Sequence, residues 1–211
     1  SRGFATHNGA MHPAAGNHPP VAATLPDVDT ERLHLRRFET DDVDALAVVF
    51  AKREVWEFPY GRPFDRDETA TFIANQRGHW DACGFGLWLA VEREPEERIV
   101  GYVGLCVPMF LPAVLPAVEV GWRFDPDVWG RGYASEAARA ALDEAFGTLQ
   151  LPEVCSIPQA DNVASVAVAD RIGMRRGDVV TIPAAEQRGA LGAQLFWTTP
   201  TEWAAVRQST A

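Results

Sequence analysis

The residues with the clearest chemical meaning are two glycines between a β-branched strand and a helix. Gly130 and Gly132 lie in the segment VEVGWRFDPDVWGRGYASE, residues 118–136. Glycine lacks the Cβ atom that would keep a ligand away from the backbone, and the first turn of a helix offers unpaired N–H groups at its positive end. Together these features predict a phosphate-binding turn, with a pyrophosphate as the expected ligand.

The residues that follow these glycines exclude two common phosphate-binding motifs. A P-loop requires Lys and then Ser or Thr after its last glycine, but Tyr133 and Ala134 follow Gly132. The sequence WGRGYA also lacks the three spaced glycines of a dinucleotide-binding fold. A nucleotide-dependent phosphotransferase is therefore disfavoured.

Hydrophobic periodicity predicts interspersed strands and helices after an N-terminal tail. Residues 1–29 are rich in Ala, Pro, Gly, Asn and His without a period, which predicts a flexible tail before a single domain over residues 30–211. Strands are predicted over 32–38, 85–92, 98–107, 117–124, 154–157, 179–182 and 194–199, and helices over 43–52, 68–80, 135–149, 162–172 and around 203. This order predicts an α/β (α+β mixed) fold around a central sheet.

Composition is typical of one ordinary globular domain. The chain has 211 residues, of which 47% are hydrophobic, and no apolar run approaches the roughly 20 residues that span a bilayer. Without a signal-peptide pattern, a cytoplasmic protein without membrane association is expected. Cys83, Cys106 and Cys155 are far apart, with neither CxxC nor ligand-spaced histidines, which predicts reduced, buried thiols and no metal site.

The acidic balance bears on the partners of the protein. A formal net charge of −10 argues against nucleic-acid binding, which needs a basic face. It suits a cationic amine, although solubility alone also accounts for an excess of acids. An anionic pyrophosphate must therefore be attracted locally, by backbone amides and a few arginines, for which Arg131 and Arg139 are the candidates.

Three motifs in order resemble the GNAT superfamily of acyl-CoA-dependent N-acyltransferases, especially its ribosomal-protein N-acetyltransferase-like branch. They are TERLHLRRF at 30–38, the strand and turn above with ASEAARAALDEAF at 134–146, and DNVASVAVADRIGMRR at 161–176. The family's turn reads Gln or Arg, two residues, Gly, one residue, then Gly or Ala; here Trp129 takes the first position, with Gly132 and Ala134 in register. The resemblance implies a mostly antiparallel, twisted central sheet that splays at the CoA site and is flanked by helices.

The resemblance also implies how acyl-CoA binds, with acetyl-CoA or a larger donor such as succinyl-CoA as co-substrate and no metal required. Pantetheine would pair with the exposed strand edge, where backbone N–H groups around Gly121 face the thioester oxygen and Gly121 fits a β-bulge or relieves crowding. The predicted CoA-binding residues are Trp122, Arg123, Phe124, Trp129, Gly130, Arg131, Gly132, Tyr133, Ala134, Ser135, Asn162 and Ser165.

Acid–base roles follow from the same resemblance. Glu119 stands between Val118 and Val120, where many family members have a general base; its alternatives are a solvent-facing position or a pair with Arg123. The tyrosine that often protonates the leaving thiolate is replaced by Ala169, which implies room for a larger acyl group.

The motif N-x-x-S supplies a substitute for that tyrosine. It places Asn162 and Ser165 against CoA, with Ser165 as candidate acid or proton relay. Helix capping by Asn162 and ordinary helix packing by Ser165 remain open as alternatives.

The resemblance implies direct attack by a primary amine of a protein or small molecule. It places acceptor specificity in residues 56–63 and 183–192, where Trp56, Phe58 and Tyr60 form an amine pocket or a hydrophobic plug, and where Arg62 and Arg188 would pair with an acidic acceptor or acyl group. Because the usual acid is missing, a non-catalytic acyl-CoA-binding regulatory module is the alternative function. Closing strands in this family often pair between protomers, which suggests a homo-oligomer.

Overall fold

A computed structural model describes residues 24–185 and 188–210 and contains one eight-stranded sheet. Its spatial order is β1-β2-β3-β4-β5-β6-β8-β7, and every neighbouring pair is antiparallel except β5 and β6, which are parallel. The strands are β1 (Val28–Asp29), β2 (Leu33–Arg36), β3 (Leu87–Glu92), β4 (Arg98–Cys106), β5 (Val118–Phe124), β6 (Val154–Ser156), β7 (Arg175–Ile182) and β8 (Leu191–Thr198). The predicted mixed fold with a mostly antiparallel central sheet is confirmed.

Six helices of the described residues flank this sheet, and local sequence fixes several of their ends. Asp65 and Glu68 form a reciprocal capping box at the start of α3, and Gly84 ends that helix in the left-handed conformation (φ 73°). Asn162 caps α5, which is one of the roles that the sequence left open for it. The helices are α1 (Val43–Phe50), α2 (Glu57–Tyr60), α3 (Arg66–Cys83), α4 (Tyr133–Gly147), α5 (Val163–Arg171) and α6 (Pro200–Thr210).

The sheet begins before the predicted start of the domain. Leu25 is 3% exposed, and Val28 pairs with Leu35 in β1, although both lie in the stretch assigned to the tail. Two apolar residues are too few to produce a detectable period, so the sequence did not reveal this edge strand. The prediction of flexibility otherwise falls on residues 1–23, which lie outside the described residues. Strands β7 and β8 also begin earlier than predicted, at Arg175 and Leu191.

The sheet has one continuous apolar face and one divided face. On the first, a large core joins β2 to β6 and β8 with α4, the end of α3 and Trp203 of α6. On the second, α1 and α3 cover β3 and β4, while residues 111–117 pack with β6 to β8 in a separate cluster. Glu119, Gly121 and Arg123 of β5 belong to neither cluster, which leaves a gap over the middle of the sheet.

Strands β5 and β6 separate at this gap. They pair only through Val118 with Val154 and Glu119 with Cys155, after which β6 ends and β5 continues to Phe124. The predicted bulge at Gly121 is wrong, because β4 and β5 stay in continuous register through that residue. The strands part because the chain after β6 stays with β8: the Gln194 N–H donates to the Pro158 carbonyl (3.0 Å). Within the described residues, no helix is long and apolar enough to cross a membrane.

Candidate active site

A cavity of about 680 Å³ occupies the gap between β5 and β6. The glycine turn with the starts of α4 and α5 forms one part of its wall, and residues 54–59 form another part. Every residue to which the resemblance assigned acid–base chemistry or CoA binding lines it. These residues are Glu119, Trp122, Arg123, Phe124, Trp129, Gly130, Arg131, Gly132, Tyr133, Ala134, Ser135, Asn162 and Ser165. The fold thus brings together residues that are up to 46 positions apart in the chain.

The glycine turn has the geometry that anion binding needs. Gly130 (φ 76°) and Gly132 (φ 86°) are both left-handed, and a Cβ at Gly130 would point into open space. No side chain caps α4, and its first main-chain bond runs from the Glu136 N–H to the Gly132 carbonyl (3.0 Å). The N–H groups of the first helical turn therefore remain available to a phosphate.

A brace that the sequence did not reveal holds this turn from β2. The Arg32 guanidinium donates to the Arg131 carbonyl (2.8 Å) and pairs with Glu136 (2.6 Å) in the first turn of α4. Glu136 also accepts from the Thr30 hydroxyl (2.6 Å), and the Tyr133 hydroxyl donates to Glu92 of β3. The loop is therefore fixed by side chains that the fold supplies from two other strands.

The cations at this end of the cavity differ in part from those predicted. Arg131 lines the cavity, but Arg139 does not; its guanidinium donates to the Arg171 carbonyl (3.1 Å). Arg171 takes the predicted place of Arg139, because it lines the cavity with one nitrogen 3.4 Å from the Ser135 hydroxyl. Arg171 is the last residue of α5. Its position beside the cavity depends on how α5 packs against α4, which the sequence does not show.

Two tryptophans flank the end of β5. Trp129 is 52% exposed, and its indole N–H donates to the Phe124 carbonyl (2.8 Å), which fixes the ring beside the turn. Trp122 is half-buried against the large core, and Phe124 is buried in it. Trp122 and Phe124 therefore pack against the core and also border the cavity.

Glu119 lies in the middle of the cavity wall and is 8% exposed. Burial raises the pKa of its carboxyl to about 7, although hydrogen bonds from the Cys106 thiol and the Ile157 backbone lower it. The Cys106 sulfur lies 3.6 Å from Oε2 of Glu119. A carboxyl whose pKa lies near neutrality suits a residue that accepts a proton during a reaction.

The alternative pair between Glu119 and Arg123 does not form. Arg123 instead donates to the Tyr102 hydroxyl (3.0 Å) and to the Val55 carbonyl, and its guanidinium lies 4.1 Å above the Trp56 ring. Glu119 is also not solvent-facing. Of the roles that the sequence left open for this residue, only that of a carboxylate facing a cleft remains.

The predicted pair on α5 has both a structural and a cavity-facing position. Oδ1 of Asn162 accepts from the Ser165 N–H (3.1 Å), which is the capping contact. The Ser165 hydroxyl lines the cavity and has no hydrogen-bond partner among the residues that the structure describes. Ala169 is fully buried in the large core and does not line the cavity.

The part of the cavity wall formed by residues 54–59 is more acidic than the sequence suggested. Trp56 is 2% exposed and stacks on Phe64 (3.7 Å between centroids), as the plug alternative required, while Phe58 contributes to the cavity wall. Arg62 pairs with Glu68 (2.6 Å) and Arg188 donates to the Pro183 carbonyl (2.9 Å); neither lines the cavity. The exposed carboxylates that do line it are those of Glu54 and Glu57.

All three cysteines are free, as predicted, but one of them is not buried. Cys83 and Cys155 are buried, whereas Cys106 is half-buried because it opens onto the cavity. The Cys106 thiol is therefore part of the candidate active site.

A largely antiparallel sheet that splays beside a glycine turn and a helix N-terminus is the architecture of acyl-CoA-dependent acetyltransferases. The chain belongs to the GNAT family, because the family model described as "Acetyltransferase (GNAT) domain" matches residues 32–175. The predicted family and enzyme class are thereby confirmed.

Individual relatives agree with this assignment. The chain is 28% identical to the uncharacterized N-acetyltransferase YnaD of Bacillus subtilis (strain 168) over 71% of this chain and 82% of that protein. The acetyltransferase from Agrobacterium tumefaciens str. C58 superposes with a TM-score of 0.65 at 29% identity, over 85% of this chain and 98% of the other.

A third relative was solved with its co-substrate. RimL, a ribosomal L7/L12 α-N-protein acetyltransferase in complex with coenzyme A, shares the fold with a TM-score of 0.64 at 16% identity, over 82% of this chain and 96% of the other. Acyl-CoA is the co-substrate of this fold.

Proposed function

We propose that this protein transfers an acetyl group from acetyl-CoA directly to a primary amine, with Glu119 as the general base. The observation that carries the proposal is the place of the Glu119 carboxylate, which is buried and lines the same cavity as the glycine turn and residues 54–59. A co-substrate bound at the turn and an amine in the same cavity would meet beside it.

The proposed reaction needs three things from the protein. As the amine nitrogen attacks the thioester carbon, a C–N bond forms, the C–S bond breaks, and Glu119 takes the amine proton, directly or through water. The edge of β5 beyond Glu119 has no partner in β6, so its main-chain N–H groups are open to the thioester oxygen. The unpartnered Ser165 hydroxyl is placed to relay a proton to the leaving thiolate.

The cations of the cavity wall favour acetyl over a dicarboxylic acyl group such as succinyl. Among the described residues that line the cavity, these cations are Arg123, Arg131 and Arg171. Arg123 is already engaged by Tyr102 and Val55, and the other two lie beside the phosphate turn. A second acyl carboxylate would therefore be buried without a cation of its own, which is costly.

The acidic part of the cavity wall at residues 54–59 favours an acceptor that carries positive charge in addition to its reacting nitrogen. Glu54 and Glu57 line this part, whereas Arg62 pairs with Glu68 and Arg188 donates to the Pro183 carbonyl, both outside the cavity. A polyamine, an aminoglycoside or a protein N-terminus followed by basic residues has this charge distribution. The net charge of −10 adds a favourable long-range field for such an acceptor.

Thermal unfolding with a panel of acyl-CoAs, followed by an amine screen with Glu119→Gln, tests the proposal. A ligand that binds only the folded state stabilises it by about 2.7 kcal/mol at 100 times its dissociation constant. We expect acetyl-CoA to stabilise both the wild-type protein and Glu119→Gln, and only the variant to lose turnover, by about 100-fold or more. Glu97→Gln, an exposed carboxylate outside the cavity, is the matched control.

Two results would contradict the proposal. If Glu119→Gln kept wild-type turnover at all pH values, Glu119 would not be the general base. Stabilisation by acetyl-CoA without turnover of any amine by the wild-type protein would instead support a non-catalytic acyl-CoA-binding module.

A further inference from the structure

Glu119 stands between two cysteines on the neighbouring strands. In the register of the sheet it lies opposite Cys106 of β4 and opposite Cys155 of β6. Directly paired residues of adjacent strands point to the same face, so both thiols flank the carboxylate. Cys106 opens onto the cavity, whereas Cys155 is fully buried.

Only one of these thiols makes a hydrogen bond to the carboxylate. The Cys106 thiol donates to Oε2 of Glu119 with a sulfur–oxygen distance of 3.6 Å, and no such contact joins Cys155 to Glu119. Burial, reinforced by the Glu119 charge, raises the pKa of both thiols well above their usual range. Cys106 is therefore a neutral S–H group, a weak donor and a poor nucleophile.

A neutral donor beside a buried carboxylate has two physical effects. It occupies one of the two carboxylate oxygens, so that the other is left to face the cavity. It also favours the charged form of the acid, which burial in the cavity wall disfavours. A base must be charged to accept a proton, so both effects favour catalysis.

We propose that Cys106 is a positioning residue for acyl transfer, which orients the Glu119 carboxylate by its S–H hydrogen bond and helps to keep it charged. This inference rests on the proposed role of Glu119 as the general base. Cys106 takes no part in bond formation, and no acyl-enzyme forms on its sulfur.

Other ionisable groups near Glu119 are present equally in the variants that test this idea. They are Tyr102 of β4, Cys155 of β6, Arg123 of β5 itself, and Glu54 and Glu57 across the cavity. Arg123 is directed to Tyr102 and Val55 rather than to the carboxylate. The change of a single donor at position 106 can therefore be read against a constant background.

The experiment compares the pH dependence of kcat/KM in Cys106→Val, Cys106→Ser and Cys155→Ala. Valine fills a similar volume without a donor, and serine restores one. In Cys106→Val we expect the acid limb to move to higher pH, with a loss of about 3- to 10-fold near pH 6.5 that becomes smaller above about pH 8.5, where only the loss of orientation remains. Cys106→Ser should stay within about twofold of the wild-type protein. Cys155→Ala should lower stability without moving the acid limb.

Several outcomes would overturn the inference. If Glu119→Gln is inactive but Cys106→Val keeps the wild-type pH profile, Cys106 has no positioning role, while the proposed function stands. If Glu119→Gln remains active, both fail together. An acyl adduct on Cys106, found by mass spectrometry after incubation with acetyl-CoA, would make the thiol a nucleophile instead. Thermal unfolding establishes that each variant folds; Cys106→Ala replaces the valine variant if that one does not.

Discussion

The guanidinium of Arg32 donates to the carbonyl of Arg131 at 2.8 Å and so ties the start of β2 to the glycine turn. The same guanidinium lies 4.6 Å above the Tyr133 ring and pairs with Glu136. One side chain thus fixes a backbone carbonyl, a ring and a carboxylate of the turn and the first turn of α4. Its position makes the shape of the turn dependent on the N-terminal part of the sheet.

Arg32→Leu is expected to weaken binding of acyl-CoA without changing the chemical step. The turn would lose its brace, and Glu136 would lose its cation while it keeps the hydrogen bonds from the Thr30 hydroxyl and the backbone N–H of residue 32. We expect KM for acetyl-CoA to rise about 5- to 20-fold while kcat changes less than about twofold. Steady-state kinetics and calorimetric titration with CoA measure this.

Arg66→Leu is the matched control for that change. Arg66 is an exposed arginine that pairs with Asp44 (2.6 Å) away from the cavity, and its loss should leave KM unchanged. An equal rise of KM in both variants would mean that general charge, rather than the brace, matters.

The left-handed glycines should be sensitive to the smallest substitution. Gly132→Ala places a Cβ at φ 86°, which costs about 1–2 kcal/mol of folding free energy and disturbs the amides that face the phosphates. We expect CoA affinity to fall about tenfold or more. Gly147→Ala, at the end of α4 and with open space around its Cβ, should be neutral or slightly stabilising. Unfolding in urea with and without CoA separates the two effects.

The raised pKa of Glu119 predicts two opposite dependences on pH. Activity requires the charged carboxylate, so kcat/KM should rise with pH through an apparent pKa of about 7. Stability should instead fall, because the folded protein holds this proton more tightly than the unfolded chain, whose glutamate pKa is about 4.3. The loss accumulates between these two values as pH increases.

Glu119→Gln should therefore stabilise the protein at high pH. The difference between the two pKa values corresponds to about 4 kcal/mol, as an order of magnitude. We expect the melting temperature of the variant to exceed that of the wild-type protein by several degrees at pH 8.5, and to match it near pH 4.5. A variant less stable than the wild-type protein at both pH values would show that the carboxylate stabilises the fold.

Glu54 and Glu57 in the cavity wall should discriminate between amines by charge. Glu54→Gln combined with Glu57→Gln should raise KM about 5- to 10-fold for a diamine and leave a monoamine almost unaffected. The double variant Glu96→Gln and Glu97→Gln, on the exposed β3–β4 connection, controls for net charge. A similar effect of both double variants would place the selectivity in the overall field of the protein.

The sequence predicted the parts of the site that are local in the chain. The glycine turn, the strand that carries Glu119 and the capping contact of Asn162 each depend on a few consecutive residues, and all three occur as predicted. Patterns of this kind are visible because turn and cap chemistry acts over short distances.

The contacts that were missed join distant segments. Arg32 and Arg131 are 99 positions apart, and nothing in either segment signals the other. Cys106 meets Glu119 only because β4 and β5 pair in one particular register, and a shift by one residue would turn the two side chains to opposite faces. Arg171 replaced Arg139 at the cavity because the choice depends on how α5 packs on α4.

The two residue pairs between β5 and β6 make the sheet a composite of a five-stranded and a three-stranded ribbon. A co-substrate that bonds to the open edge of β5 and also touches α5 would connect these two ribbons. The ladder bonds that the fold omits beyond Glu119 are then supplied by the molecule to be transformed, so that filling the cavity and completing the sheet become the same event.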